Sequence, residues 1–444
     1  MSSGTLPHGS YHRAGSLGAG TYGSVVTVYN DAGEEFALKS FDPDEDNDTL
    51  ELGTLREVSI LRILREANGH PNIVSLVDVQ TEGEEEYSDG SFCMIMPLYS
   101  HGDLGSAIAK GLVKQGPAGR KQRVELAHGL LTAVAFLHDN HIIHRDIKSA
   151  NVTISQMNEK IVPVLIDFSL AKFVDGENAV LPPGSTHTPS IGTPTYTAPE
   201  VVKREPYGLK SDCWSVGVVL LECLIGELNV DRDKAAFSLI EKEVASLTDS
   251  PFATLVRGLL EPDADKRSSA REALEMPIFS KFGLEVPAVK VVNIGRAFET
   301  DEDEESCDKK SIADALRTIN GAGTADNKRK KQKNQKLTQR QKLINKLCSE
   351  IGCKNPRTRL AVEVYAKCAE ETIDDELDDI KTSTTLLDCV IIANHFYEEA
   401  MINLEELVED NGEDFPSFVD FDLETYKDNQ SALFMSMDYC LYIR

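Results

Sequence analysis

Between Tyr11 and about Phe92, short runs of β-branched and aromatic residues are broken by Gly- or Asp-rich stretches, a pattern that predicts strands. Leu52–Glu66 departs from it, with apolar positions recurring at helical spacing. Residues 11–99 are therefore expected to form a small sheet lobe carrying one helix. From Gly102 to about Phe282 the period is helical, most clearly in Val124–Leu137 and Trp214–Leu224, which predicts a larger helical lobe over residues 100–283. Two lobes imply a cleft.

Outside these lobes the periodicity fades. Residues 1–10 read as a tail. An acidic run, Asp301–Glu305, and a basic run, Asn327–Lys336, make residues 284–336 a charged flexible linker. Helical periods return near Leu337 and persist to Asn411, with a last helix expected near Glu424–Tyr439, so residues 337–444 are expected to form a second, all-α domain. The 444 residues and 41 % hydrophobic content suit two folded units.

Charge narrows the partners. The formal net charge of −27 would repel nucleic-acid phosphates, so no direct nucleic-acid binding is expected. Residues 357–444 hold 22 acidic and 6 basic side chains, whereas residues 327–354 hold 10 basic and 1 acidic. Lys328-Arg-Lys-Lys331-Gln-Lys333 reads first as solvated linker, and otherwise as a nuclear localisation signal or a patch for the adjoining acidic region. The start lacks the apolar core of a signal peptide, and no apolar run of about eighteen residues occurs. A soluble cytoplasmic or nuclear protein without membrane contact is expected. The 9 cysteines form no CxxC pair, which favours neither a zinc site nor a disulfide framework.

Candidate chemistry begins at Gly18-Ala19-Gly20-Thr21-Tyr22-Gly23-Ser24-Val25, preceded by Leu17 and set between two strand-like runs. Its glycines would let a hairpin backbone approach phosphates, with Val25 over a nucleotide base; an ordinary glycine hairpin reads the same way. Phe36-Ala37-Leu38-Lys39 puts a lysine in a strand aimed toward those phosphates, and Glu57 on the following helix is its candidate partner. His144-Arg145-Asp146-Ile-Lys148-Ser-Ala-Asn151 then supplies three groups that phosphoryl transfer requires. Asp146 would accept the proton of the attacking hydroxyl, Lys148 would place a cation by the phosphoryl, and Asn151 would bind magnesium. Asp167, at the end of the apolar run Val164-Leu-Ile, is the second magnesium ligand, followed by Phe168 and Ser169.

These motifs, in this order and spacing, resemble the eukaryotic protein kinases over Tyr11–Lys281. The resemblance implies an α+β bilobal kinase fold, ATP and Mg²⁺ as cofactors, and protein substrates. It also implies a nucleotide pocket formed with Ala37, Met96, Pro97, Leu98 and Tyr99, in which the Pro97 carbonyl and the Tyr99 N–H meet adenine. Glu200 of Ala198-Pro199-Glu200 is expected to pair with Arg267, and Asp212 to brace the catalytic loop. Asp146-x-Lys148 and Gly192-Thr193-Pro-Thr-Tyr196 look like serine/threonine kinases. Arg145 implies an activation-segment phosphate, for which Thr188 is favoured over Ser185, Thr186 and Ser190. Glycine is usual in the family where Ser169 stands, and serine is expected to disfavour the flip that swings Asp167 out.

Leu360–Lys367, Leu386–Phe396 and Met437–Leu441 loosely resemble the first box of a cyclin, and Thr54–Leu61 resembles the helix that cyclins bind in cyclin-dependent kinases. A partner on the same chain would act at high effective concentration. His395 and Gln430 stand where that resemblance expects lysine and glutamate, and Thr197 where cyclin-dependent kinases carry an arginine linked to proline-directed specificity. A pseudokinase scaffold remains the alternative from another class.

Overall fold

Lys39 owes its position to strand alternation within a five-stranded antiparallel sheet. The strands are β1 (Tyr11–Gly20), β2 (Gly23–Asn30), β3 (Glu35–Ser40), β4 (Asp78–Gln80) and β5 (Cys93–Pro97), in the order β1-β2-β3-β5-β4. Leu38 of β3 enters a core with Val26, Val28, Cys93 and Ile95. Its neighbours Ala37 and Lys39 therefore face the other side, where they line a cleft. The computed structural model describes residues 11–20, 23–41, 52–80, 93–99, 101–114, 116–157, 160–174, 180–181, 194–226, 228 and 236–291, together with Ala361, Val362, Tyr365, Cys389, Ile392 and Ala393.

The expected sheet-lobe helix is α1 (Leu52–Glu66), which buries Val58, Leu61 and Leu64. It stops where Gly69, at φ +57, donates its N–H to Leu64 O at 2.8 Å, a left-handed cap that suits glycine. Beyond β5 the chain is mainly helical. The described elements are α2 (Leu104–Ala109), α3 (Arg120–Asp139), α4 (Pro199–Val202), α5 (Lys210–Ile225), α6 (Ala236–Ser246), α7 (Pro251–Leu259), α8 (Ala270–Leu274) and α9 (Pro277–Ser280). Two short antiparallel pairs interrupt them: β6 (Ile142–Ile143) with β9 (Lys172–Phe173), and β7 (Val152–Met157) with β8 (Lys160–Leu165).

α3 and α5 form the centre of the helical lobe because both are apolar around much of their circumference. Leu126, Leu130, Val134 and Leu137 of α3 are buried, as are Trp214, Val218 and Leu221 of α5. The last helices are pinned locally. Ser269 and Glu272 form a capping box at α8, the hydroxyl accepting from the Glu272 N–H and the carboxylate from the Ser269 N–H.

The expected linker begins at residue 284, but residues 284–291 lie against the same unit. Glu285 O meets His128 Nε2 at 2.8 Å, Arg271 donates to Pro287 O at 2.6 Å, and Asn140 donates to Lys290 O at 2.9 Å. The Lys290 ammonium reaches Gly69 O at 3.3 Å and lies 5.8 Å from the Phe136 ring centroid.

The chain separates into two compact units, one of Leu6–Ser40 and Arg56–Val292, the other of Met1–Thr5, Phe41–Leu55 and Asn293–Arg444. In the second unit Ala361, Val362, Tyr365, Cys389, Ile392 and Ala393 are helical and buried. They lie within Leu360–Lys367 and Leu386–Phe396, two of the three stretches that loosely resemble a cyclin box. The rest of residues 292–444, including Lys328–Lys333, His395 and Gln430, lies outside the described residues. Among the described residues, no helix is long and apolar enough to cross a membrane.

Candidate active site

The glycine hairpin arises where β1 turns into β2, pairing Gly18 with Val25, Ala19 with Ser24 and Gly20 with Gly23. Thr21 and Tyr22 lie outside the described residues. Beneath this hairpin is a cleft of about 360 Å³ lined by Leu17, Val25, Ala37, Lys39, Glu57, Met96, Pro97, Leu98, Tyr99, Lys148, Asn151 and Asp167, all expected from the sequence. Val74, Thr153 and Ile166 complete the lining and were not anticipated. Two of them had a readable signal: Thr153 stands two places after Asn151 in β7, and Ile166 immediately precedes Asp167.

Lys39 Nζ donates to Glu57 Oε2 at 2.6 Å, and the carboxylate is almost wholly buried. Burial alone would lower the Lys39 ammonium, but Glu57 and then Asp167 outweigh it and hold the pKa above its ordinary value. The lysine therefore stays charged in a site that excludes much of the water.

The catalytic-loop residues converge on one carboxylate oxygen. Lys148 Nζ and Asn151 Nδ2 each donate to Asp146 Oδ2 at 2.7 Å, and Asn151 Nδ2 also reaches Asp146 O at 2.9 Å. Burial pushes the Asp146 carboxyl above its usual range despite the opposing Lys148 ammonium. That raises its basicity toward a substrate hydroxyl.

Asp212 holds this loop from behind. Its Oδ2 accepts from the His144 N–H at 2.8 Å and its Oδ1 from the Arg145 N–H at 2.9 Å. His138 Nε2 meets Oδ2 at 3.0 Å, and Arg145 sits at φ 70, a conformation those bonds help to fix. The Arg145 side chain donates through Nε to Leu170 O at 2.6 Å. Glu200 and Arg267 also meet as expected, in a buried pair described below. Thr188, Gly192 and Thr193 lie outside the described residues.

Asp167 is likewise in the left-handed region, at φ 64. Phe168 is fully buried and stands edge-on to His144, with ring centroids 4.8 Å apart. Burial would raise the Asp167 carboxyl, but Lys39 and the Ser169 hydroxyl together hold it below the usual range. Asp167 is therefore ionised.

The donor set fits a magnesium ion held jointly with phosphates. Among the described residues no group of three or more His, Cys, Asp or Glu side chains could hold a metal by itself. An ionised Asp167 and the side-chain carbonyl of Asn151, whose amide nitrogen is engaged with Asp146, leave room for the waters and phosphate oxygens that Mg²⁺ prefers to keep.

A second cavity of about 350 Å³, which sequence reasoning missed, adjoins the catalytic loop and is lined by Ser149, Thr195, Tyr196 and Glu222 among others. The Tyr196 hydroxyl lies 2.8 Å from Glu222 Oε1, 2.9 Å from Oε2 and 2.8 Å from Ser149 Oγ. A glutamate on the buried face of α5 was the available signal.

An enzyme that transfers a phosphoryl group needs little beyond charge fixed around the phosphates and a carboxylate at the acceptor; Lys39 and Lys148 line this cleft, and Asp146 lies beside it, bonded to Lys148 and Asn151. The family model for the protein kinase domain matches residues 11–279, and the chain belongs to that family, whose members use ATP and Mg²⁺. It is 28 % identical over 320 residues to calcium-dependent protein kinase 20 of Oryza sativa subsp. japonica, covering 70 % of this chain and 54 % of that protein. It is 31 % identical over 290 residues to CBL-interacting protein kinase 19 of the same organism, covering 63 % and 52 %. The chain thus spans about half the length of these relatives.

Proposed function

We propose that this chain is an ATP- and Mg²⁺-dependent serine/threonine protein kinase that transfers the γ-phosphoryl group to hydroxyls of protein substrates. The convergence of Lys148 and Asn151 on Asp146 Oδ2 beside the cleft carries this reading. In it, Asp146 orients the attacking hydroxyl and takes its proton, while Lys148 offsets charge on the transferred group. Lys39, held by Glu57, grips the nucleotide phosphates. Leu17, Val25 and Ala37 give the base apolar walls, with the Tyr99 N–H and Pro97 carbonyl at its polar edge. Asn151 and Asp167 would hold Mg²⁺, which when bound neutralises phosphate charge.

The test is Asp146→Asn in the full chain, assayed for phosphate transfer from ATP to a generic basic protein. Turnover should fall by roughly 10²- to 10⁴-fold while nucleotide affinity stays within a few fold. Equal turnover would show that Asp146 is not the catalytic carboxylate. A parent chain that binds nucleotide but transfers nothing would be a scaffold instead.

We infer also that residues 337–444 regulate the kinase in cis. The loose cyclin-box resemblance of Leu360–Lys367 and Leu386–Phe396 and the high effective concentration of a tethered partner support this. The comparison is between the full chain and one ended after Val292, which retains the segment bonded to the kinase unit. Identical rates and substrate preferences would remove the inference.

A further inference from the structure

The residue after Phe168 makes a contact that glycine cannot make. Ser169 is buried, 2 % exposed, and its hydroxyl donates to Asp167 Oδ1 at 2.6 Å. Its backbone N–H reaches the same oxygen at 3.3 Å. The serine meets no backbone penalty, because among the described residues the non-glycine ones at positive φ are Asn68, His141, Arg145, Asp167 and Arg204, and Ser169 is not one of them. The unusual conformation belongs to Asp167, at φ 64, and such a residue persists only where its surroundings over-determine it.

We propose that Ser169 is a positioning residue for Asp167, its hydroxyl fixing the carboxylate in the orientation that receives the magnesium of a bound nucleotide. The inference rests on the kinase reading of the cleft. Oδ1 is taken up by the clasp and Oδ2 stays outside it, so the hydroxyl sets the rotation of the carboxylate without occupying both oxygens. A hydroxyl bonded to a carboxylate in a water-poor site is a short, charge-assisted hydrogen bond. Phe168 secures the same segment from the other side through His144. The backbone is thus held by packing and the carboxylate by Ser169.

The experiment is Mg²⁺-dependent binding of a fluorescent ADP analogue to the full chain, read as the Mg²⁺ concentration at half-saturation. Ser169→Ala should raise that concentration about tenfold, the loss expected for one hydrogen bond to a charged group. Ser169→Thr should restore it to within a few fold. Binding of the analogue in EDTA should be the same for all three chains, a readout that a merely structural defect would disturb. Ser169→Gly gives an independent measure should the alanine variant fold poorly. Unchanged Mg²⁺ dependence in Ser169→Ala or Ser169→Gly, or a loss of binding in EDTA equal to that in Mg²⁺, would overturn the role of Ser169. A parent chain showing no Mg²⁺-dependent binding would overturn the nucleotide-site reading itself.

Discussion

Arg267 grips both carboxylate oxygens of Glu200, Nη1 to Oε1 at 2.6 Å and Nη2 to Oε2 at 2.9 Å, with the guanidinium wholly buried. The arginine also donates to Lys210 O and Glu261 O and lies 5.3 Å from the centroid of a Trp214 ring. α4, α5 and the loop before α8 are thereby tied at one side chain. Arg267→Ala strands a buried carboxylate and the backbone carbonyls of Lys210, Glu261 and Pro262, and should cost roughly 3–5 kcal/mol of unfolding free energy. Urea denaturation checks this, and a loss under about 1 kcal/mol would show the pair to be dispensable.

Lys39→Met removes the cation facing the cleft and leaves Glu57 buried without its partner at 2.6 Å. kcat/KM for ATP should fall at least about a hundredfold, since one preorganised charge in a water-poor site contributes on that order. Lys39→Arg keeps the charge but not the compact ammonium, and should recover only part of the loss. Steady-state kinetics on both variants decide whether charge or shape matters more.

Of the fold, the periodic elements were the most legible. The apolar repeat at Leu52–Glu66 marks both ends of α1, and alternation around Lys39 predicts which face it presents. The residues lining the cleft were legible because they sit in short motifs whose residue types carry the chemistry, such as Asp146-Ile-Lys148 with Asn151. What escaped notice was carried by backbone or by distance. The segment at residues 284–291 is held through its carbonyls, which leave no trace in residue type. Tyr196 and Glu222 meet across the fold, and only the helix burying Glu222 sets it apart from a solvated acid.

His138 should make the protein less stable in mild alkali. Burial alone would lower its pKa, but hydrogen bonds with Asp212 and Cys213 raise it from 6.5 to about 9. The folded state therefore keeps a proton that the unfolded chain releases. This contribution is complete below pH 6.5 and is lost as pH rises through about 9, amounting to about 3 kcal/mol by linkage. Unfolding free energy measured from pH 6 to about pH 9.5 should fall across this window, and His138→Gln should flatten the fall. Parallel curves for parent and variant would contradict the assignment.

Gly129 lies where α3 meets the rest of the lobe, and a Cβ there would come within 2.8 Å of Asn72 Nδ2 and 2.9 Å of Pro163 Cγ. Asn72 is not free to withdraw, since its amide donates to Pro163 O at 2.8 Å and its oxygen accepts from Thr132. Gly129→Ala should therefore lower stability by about 1–3 kcal/mol despite the better helix propensity of alanine. Thermal unfolding gives the sign, and a rise in melting temperature would show that the helix shifts to make room.

Residues 284–291 leave the kinase unit under restraint, laid along α3 and moored by Lys290 to Gly69, the residue that ends α1. Among the described residues, His128, Arg271 and Asn140 hold carbonyls of this segment along α3 and α8. The polypeptide's way out of the kinase unit therefore runs past the end of α3 and on to the residue that closes α1, the helix bearing Glu57.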